Sequence, residues 1–386
     1  MAKAGSKTYR FTHLRLENWR NFTKVEVDLQ RRVFLVGANA SGKSNFLDVF
    51  RFLKKLSSVG GGLQQAVQDR GGVSSLRCLA ARRYTDILVN VRVGDDKTPA
   101  AWEYELRFNQ DNRRRPIISR ERVLREGAEV LKRPRPEDQK DQERLTQTYL
   151  EQVQANQDFR ELARFFASVR YYHIVPQLVR DPDRSVGKQR DPYGGDFIEQ
   201  IALTPERTRR ARLRRINEAL KVAVPQLKEL ELERDERGTP HLKGNYKHWR
   251  PRGAWQREDT FSDGTLRLMG LLWALLDGSG PMLLEEPELS LHPEVVQYLP
   301  ETFARVQRRS GRQVLISTHS SDLLKDDVIG LDEALLLRPA KEGTVVSLAS
   351  SHDEVKALLE GGLNLAEVLV PMTRPENAEK LPLFPD

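Results

Sequence analysis

The sequence predicts an α/β fold in which a mixed β-sheet with flanking helices is interrupted by a mainly helical insertion. Three observations carry that expectation. Near the N-terminus an apolar strand runs into a Gly-rich turn and an amphipathic helix, "RRVFLVGANASGKSNFLDVFRFLKKL". Near the other end helix and strand alternate again through "SDGTLRLMGLLWALLDG", "PMLLEE", "PEVVQYLPETFARVQRRSG" and "QVLISTH". Between them lies a charged middle that reads mostly as helix. The two α/β ends therefore belong to one head, with residues 1–95 and 251–350 as its two parts. Residues 96–250 form the insertion, strands first and then a helical arm, and 351–386 a C-terminal tail.

Each element follows from local pattern. "YRFTHLRLENWRNFTKVEVDL" places Phe11, Leu14 and Leu16, then Val25, Val27 and Leu29, in two short strands. "DILVNVRV", "AWEYELRF" and "IISRERVLRE" read as further strands. From about Gly127 the chain is charged and broken by proline, and "KRPRPEDQKDQER" reads as a loop or linker. "LTQTYLEQVQANQDFRELARFFASVRYY" reads as helix. So does "PERTRRARLRRINEALKVAVPQL", with Pro205 suited to its first turn. "LKELELERD" returns to strand.

Composition bounds the function. The net charge of +8 favours polyanionic partners, either nucleic acid or nucleotide phosphates. No apolar stretch approaches the ~20 residues of a membrane span, and no apolar segment follows "MAKAGSK". A single cysteine, Cys78, excludes an internal disulfide framework and a cysteine-based zinc site. The expectation is a soluble cytoplasmic protein with no membrane part.

"GANASGKS", Gly37 to Ser44, is a phosphate-binding loop in the required setting, after a strand and opening a helix. Gly37 and Gly42 let backbone amides wrap a phosphate, and Asn39, Ser41 and Asn45 belong to the same turn. The helix N-terminus favours negative charge, Lys43 reaches the outer phosphates, and Ser44 supplies a hydroxyl to Mg²⁺. A P-loop alone leaves kinase, GTPase, helicase and ABC-type ATPase open. Downstream, "PMLLEEPELSLHP" sets Glu285 and Glu286 side by side after an apolar run, an arrangement that needs a cation opposite. Read alone, Ser262 is a helix N-cap and His319 a core histidine.

Taken in order, "LRLENWRNF", "GANASGKS", "FSDGTLRL", "MLLEEPE" and "VLISTHS" resemble the ABC-type ATPases of the SMC, RecF and OLD group. More narrowly, they are similar to predicted bacterial AAA-family ATPases with an "EEPE…LHP" block, which serve in genome maintenance or phage defence. The likeness covers roughly residues 10–95 and 255–350. It implies ATP and Mg²⁺ as ligands. Lys43 and Ser44 match the Walker A positions, Glu285 the Walker B acid on the metal, and Glu286 the catalytic base. Ser262 to Thr265, including Gly264, match the signature loop that caps the γ-phosphate held by an opposite subunit. His319 matches the γ-phosphate-sensing switch histidine, and Pro287 to His292 the segment that crosses the dimer seam. Arg20 and Asn39 fall where relatives contact phosphate. Glu288 and His292 read equally well as ordinary helix N-terminal residues, and Gln177 is a Q-loop candidate for which a surface role is the stronger reading. Two departures stand out: "SDGT" lacks the second glycine of the signature, and Glu285 replaces an aspartate.

The likeness implies a head-to-tail homodimer, or a higher oligomer, with ATP at the seam. Six arginines between Arg207 and Arg215 suggest contact with DNA or RNA, against the equal alternative of a solvated or partner-binding helix. After about Ser350 too few residues remain for an OLD-type nuclease domain, so a nuclease or toxin activity would come from a separate subunit. The tail "EKLPLFPD" could dock such a partner, with an unstructured terminus the stronger reading. Two functions stand: a nucleic-acid-engaging ATPase, and an ATP-gated scaffold for an effector.

Overall fold

The computed structural model describes residues 8–81, 85–181, 191, 193–249 and 254–374. In chain order the first strands are β1 (Arg10–Trp19), β2 (Phe22–Asp28), β3 (Arg32–Val36), β4 (Ile87–Gly94), β5 (Trp102–Gln110), β6 (Pro116–Arg125), β7 (Ala128–Arg133) and β8 (Arg170–Tyr172). The rest are β9 (Leu227–Arg234), β10 (Pro240–Tyr246), β11 (Ala254–Arg257), β12 (Met282–Glu285), β13 (Val314–Thr318), β14 (Ala334–Ala340) and β15 (Gly343–Leu348). They form an antiparallel sheet ordered β2-β1-β4-β5-β6-β7, a small sheet β11-β10-β9, and a mixed sheet β15-β14-β3-β13-β12-β8. In the mixed sheet β14, β3, β13, β12 and β8 run parallel and β15 returns antiparallel.

The mixed sheet is buried on both faces, so its strands alternate between two cores. Val33, Leu35, Leu283 and Leu315 enter one, while Phe34, Val36, Leu284 and Ile316 enter the other. A strand covered on both sides has no polar face, which is why the interiors of these strands, "VFLV", "MLL" and "VLI", are continuous apolar runs. The first core clamps the helix Lys43–Ser57 between the two large sheets: Phe46, Phe50 and Phe52 meet Phe22, Phe11 and Trp19. The second holds the helix Asp263–Leu276, through Leu266, Met269 and Trp273, against the other face.

The region 96–250 is mixed, where a mainly helical insertion was expected. Strands β5 to β7 extend the antiparallel sheet begun by β1, β2 and β4, and β9 to β11 form a sheet of their own. The helix Glu206–Ala223 is present and buries Leu213, Ile216 and Leu220 at helical spacing. Strand β10 escapes sequence reading because Pro240 and Gly244 dilute its alternation.

The helix expected over "LTQ…RYY" shrinks to Arg160–Ala167 and ends in β8. Polar side chains take the backbone groups that a longer helix would need. Glu121 accepts from the amides of Tyr149 (2.9 Å) and Leu150 (3.2 Å), Glu151 from those of Thr148 (2.5 Å) and Leu63 (3.1 Å), and Asn156 donates to the Leu150 carbonyl (3.0 Å). The preceding "linker" is packed: Arg133 and Asp138 are 1% and 0% exposed, and Arg133 donates to both Asp138 (2.9 Å) and Glu121 (3.0 Å). The stretch expected as a tail opens with the helices Asp353–Glu360 and Leu365–Met372, which bury Val355, Leu365, Val368 and Leu369. Its last part, with "EKLPLFPD", lies outside the described residues, as does "MAKAGSK". No helix among the described residues is long and apolar enough to cross a membrane.

Candidate functional site

Parallel strands end on the same edge of a sheet, and a ligand crevice forms outside their carboxyl ends. Val36 pairs with Thr318, Ser317 with Glu285, and Leu284 with Tyr172. The next residues along each strand are therefore neighbours: Gly37 after β3, His319 after β13, Glu286 after β12 and His173 after β8.

The loop after β3 is shaped by its glycines. Gly42 has φ +97°, and a Cβ there would lie 2.2 Å from the Asn21 amide. A Cβ at Gly37 would lie 2.4 Å from Ser41 Oγ. Asn21 braces the turn by donating to the Ser41 carbonyl (3.2 Å) and Thr344 Oγ1 (2.7 Å) while accepting from Asn45 Nδ2 (2.8 Å). Lys43 Nζ is buried over the loop and donates to the carbonyls of Gly37 (2.9 Å) and Ala38 (3.0 Å). Burial lowers its pKa, against the opposing pull of Glu286, Glu288 and Glu285. Ser41 Oγ is buried without a hydrogen-bond partner, a polar atom left for a ligand. Asn39 is exposed on the crest of the loop.

The two carboxylates are held differently. Glu285 accepts hydrogen bonds from the Ser44 and Tyr171 hydroxyls, and His173 Nδ1 lies 3.3 Å from its carbonyl. Burial, followed by the Glu285 carboxylate, pushes the Tyr171 phenol well above its ordinary pKa. Glu286 turns out of line at φ +44°, donating its amide to the Ser317 carbonyl at 3.0 Å. A left-handed non-glycine residue costs on the order of 1 kcal/mol or more and persists where its surroundings over-determine it. Here the turn brings the Glu286 carboxylate 3.2 Å from His319 Nδ1 and 3.9 Å from Lys43 Nζ. Glu288 is buried, accepts from Thr318 Oγ1 at 2.5 Å, and has its pKa raised by burial.

Other candidates make no hydrogen bond or ion pair, among the described residues, to Lys43, Ser44, Glu285 or Glu286. Ser262 caps the helix Asp263–Leu276, accepting from the Thr265 amide at 3.3 Å. Gly264 packs so closely on the Ser290 carbonyl that a Cβ would fall 2.6 Å from it. Among the described residues no hydrogen bond or ion pair joins Ser262 to Lys43, Ser44, Glu285 or Glu286. Gln177 is exposed and donates to Asp263 (3.3 Å), on the signature side. His292 accepts from the Glu294 amide (3.1 Å) as an ordinary N-cap. Arg20 donates to the Ser75 carbonyl (3.2 Å) and lines a cavity of about 600 Å³ with Ser44, Asn45, Asp48, Arg51 and Tyr171. On the arginine-rich helix Arg212 turns inward to Asp277 (2.9 Å), while Arg207, Arg210 and Arg214 are exposed along one face.

Tyr171, His173 and Asn21 are absent from the residues singled out by sequence. Asn21 sits inside "NWRNF" and is within reach of sequence reading, but Tyr171 belongs to a three-residue strand hidden in a stretch of helical pattern, and His173 follows directly after it.

These residues fit a metal–nucleotide ligand. Ser44 and Glu285 are hard oxygen donors suited to Mg²⁺, which commonly completes its shell with phosphates and waters. Among the described residues no group of three or more His, Cys, Asp or Glu could hold a metal by itself.

A family model described as "AAA domain, putative AbiEii toxin, Type IV TA system" matches residues 32–325. No curated protein matches the sequence. Among solved structures the chain is similar to the Smc head domain with a coiled coil and joint from Pyrococcus yayanosii, at 12% identity and a TM-score of 0.52 over 92% of this chain and 100% of that one. It is likewise similar to the Pyrococcus furiosus Smc head domain bound to the C-terminal domain of ScpA, at 13% identity and a TM-score of 0.51 over the same shares. At such identities the likeness speaks for the fold. With the family model spanning most of its length and an ABC-type head for its fold, the chain belongs to this AAA-domain family.

Proposed function

We propose that the chain binds and hydrolyses ATP at the carboxyl edge of its mixed sheet and works as a conformational switch in a head-to-tail homodimer. The observation that carries this reading is the convergence of Lys43, Ser44, Glu285, Glu286 and His319 on one crevice. Lys43 and the first-turn amides of its helix bind the phosphates. Ser44 and Glu285 would hold Mg²⁺, which when bound neutralises charge on the transferring phosphoryl group. Glu286 orients the attacking water, and His319 orients Glu286. Ser262 is exposed at the start of a 14-residue helix with no bond to its own crevice, which supports a role in capping the nucleotide of a second copy.

The test is Glu286→Gln with Mg-ATP, followed by sizing. Turnover is expected to fall on the order of 10²-fold or more, and an ATP-dependent dimer to accumulate. Monomers persisting under ATP would remove the composite site, and turnover near wild type would remove Glu286 from the base role.

The switch acts on DNA or another nucleic acid, in genome maintenance or anti-phage defence. The exposed Arg207, Arg210 and Arg214, spaced three and four residues apart, support this. A second reading is an ATP-gated scaffold that holds and releases a separate toxin or nuclease. It is favoured by the toxin–antitoxin description of the matching family.

A further inference from the structure

Glu285 stands where the broader ABC-type pattern leads one to expect aspartate, and its surroundings give the extra methylene a purpose. One carboxylate oxygen accepts from Ser44 and the other from Tyr171. The two hydroxyls come from separate elements, the first turn of the helix Lys43–Ser57 and the middle of β8. Pairing of β8 with β12 sets Tyr171 beside Leu283, and paired residues of neighbouring strands share a face. Leu283 packs into the core beneath the helix Lys43–Ser57, and Tyr171 packs against that same core.

The helix meets Tyr171 with a matching stripe. Ser44 and Arg51 are seven residues apart, about two turns, and so lie on one side of the helix. The Arg51 guanidinium sits 4.1 Å from the centroid of the Tyr171 ring. The ring is thus fixed by Arg51 and the core, and its hydroxyl meets the far oxygen of Glu285. An aspartate on the same backbone would be one methylene too short to keep both hydroxyls.

We propose that Tyr171 is a positioning residue for Glu285. Its hydroxyl holds one carboxylate oxygen so that the other stays beside Ser44, where the cation is to be held, and this division is why position 285 carries glutamate. The inference rests on the metal–nucleotide reading above.

Tyr171→Phe keeps the ring, its packing and the Arg51 contact, and deletes only the hydroxyl. Binding of Mn²⁺ to the ADP complex, followed by electron paramagnetic resonance, is expected to weaken about tenfold to a hundredfold. ADP affinity in EDTA and the melting temperature should stay at wild-type values. In a Glu285→Asp background the same substitution should change Mn²⁺ affinity by less than about twofold, because coupling is lost once the pair no longer touches. Wild-type Mn²⁺ affinity in Tyr171→Phe overturns the proposal. So does an equal loss in both backgrounds, or a loss of metal-free ADP binding in step with the metal. Wild-type protein that binds no Mn²⁺–ADP overturns the nucleotide reading, and this inference with it.

Discussion

Ser44 donates its hydroxyl to Glu285 across 241 residues of sequence, tying the first turn of the P-loop helix to the end of β12. Both are hard oxygen donors, and this contact joins the two groups between which a divalent cation would have to be held. Lys43 turns to the carbonyls of Gly37 and Ala38 and not to this pair, so on the proposed reading its hold on phosphate does not need the cation.

Metal and nucleotide binding should therefore separate. EDTA is expected to abolish ATP turnover while ADP stays bound, as measured by equilibrium dialysis. Ser44→Ala should raise the Mg²⁺ concentration for half-maximal turnover by at least about tenfold, the scale on which metal sites respond to altered supporting contacts. Its metal-free ADP affinity should change little. Equal loss of both affinities would place Ser44 in the architecture of the loop and not on the metal.

Legibility of this site followed burial. Strands β3, β12 and β13 are covered on both faces, so each carries an apolar run, "VFLV", "MLL" and "VLI", that gives way at its carboxyl end to Gly37, to Glu285 and Glu286, and to "STH". Those stops are the motifs, and local pattern exposes them. Strand β8 has three half-buried residues and no such signature, so neither Tyr171 nor His173, just beyond its end, is marked by local pattern. Arg133 reads as part of a loop or linker because its partner Glu121 comes from a different strand, and its pairing with Asp138 inside "KRPRPEDQKDQER" has no local signature. The same long-range capture of amides by Glu121 and Glu151 cut short a helix that local pattern favoured. The role expected of Ser262 depends on a second chain, which no pattern within one chain can specify.

Glu151 carries a pH dependence of stability. Burial, outweighing its hydrogen bonds from the Thr148 and Leu63 amides, pushes its carboxyl up to about 7 from an ordinary 4.5. A folded-state pKa above the unfolded one means that the folded protein binds more protons between these values. Its contribution is therefore fully present below the unfolded pKa, is lost as pH rises through the folded one, and is flat above it. Glu151→Gln cannot ionise, and any fixed cost of its amide group is independent of pH. Between roughly pH 5 and pH 8 the stability gap should shift in the variant's favour by about 1 to 3 kcal/mol, the scale of such a pKa difference. Denaturant titrations of both proteins at the two pH values check this, and a constant gap would show that Glu151 stays ionised throughout.

The exposed arginines decide between the two proposed outputs. Arg207, Arg210 and Arg214 present one charged face, whereas Arg212 is committed to Asp277 and to the ring of Trp273. Reversing the three exposed charges together, Arg207→Glu, Arg210→Glu and Arg214→Glu, leaves the inward contacts of the helix intact. If these residues meet a phosphate backbone, duplex DNA affinity should fall and the slope of log K against log salt should lose roughly 0.9 per lost phosphate contact, up to about 3 in total. ATP turnover without nucleic acid should be unchanged, since no part of this face touches Lys43 or Glu286. Anisotropy titrations of labelled duplex and single strands over a salt series read both quantities. If affinity and slope stay at wild-type values, the arginine face is not the nucleic-acid contact. The weight then moves to the scaffold, whose signature is a small protein that copurifies with Glu286→Gln under ATP and is released when ATP is withdrawn.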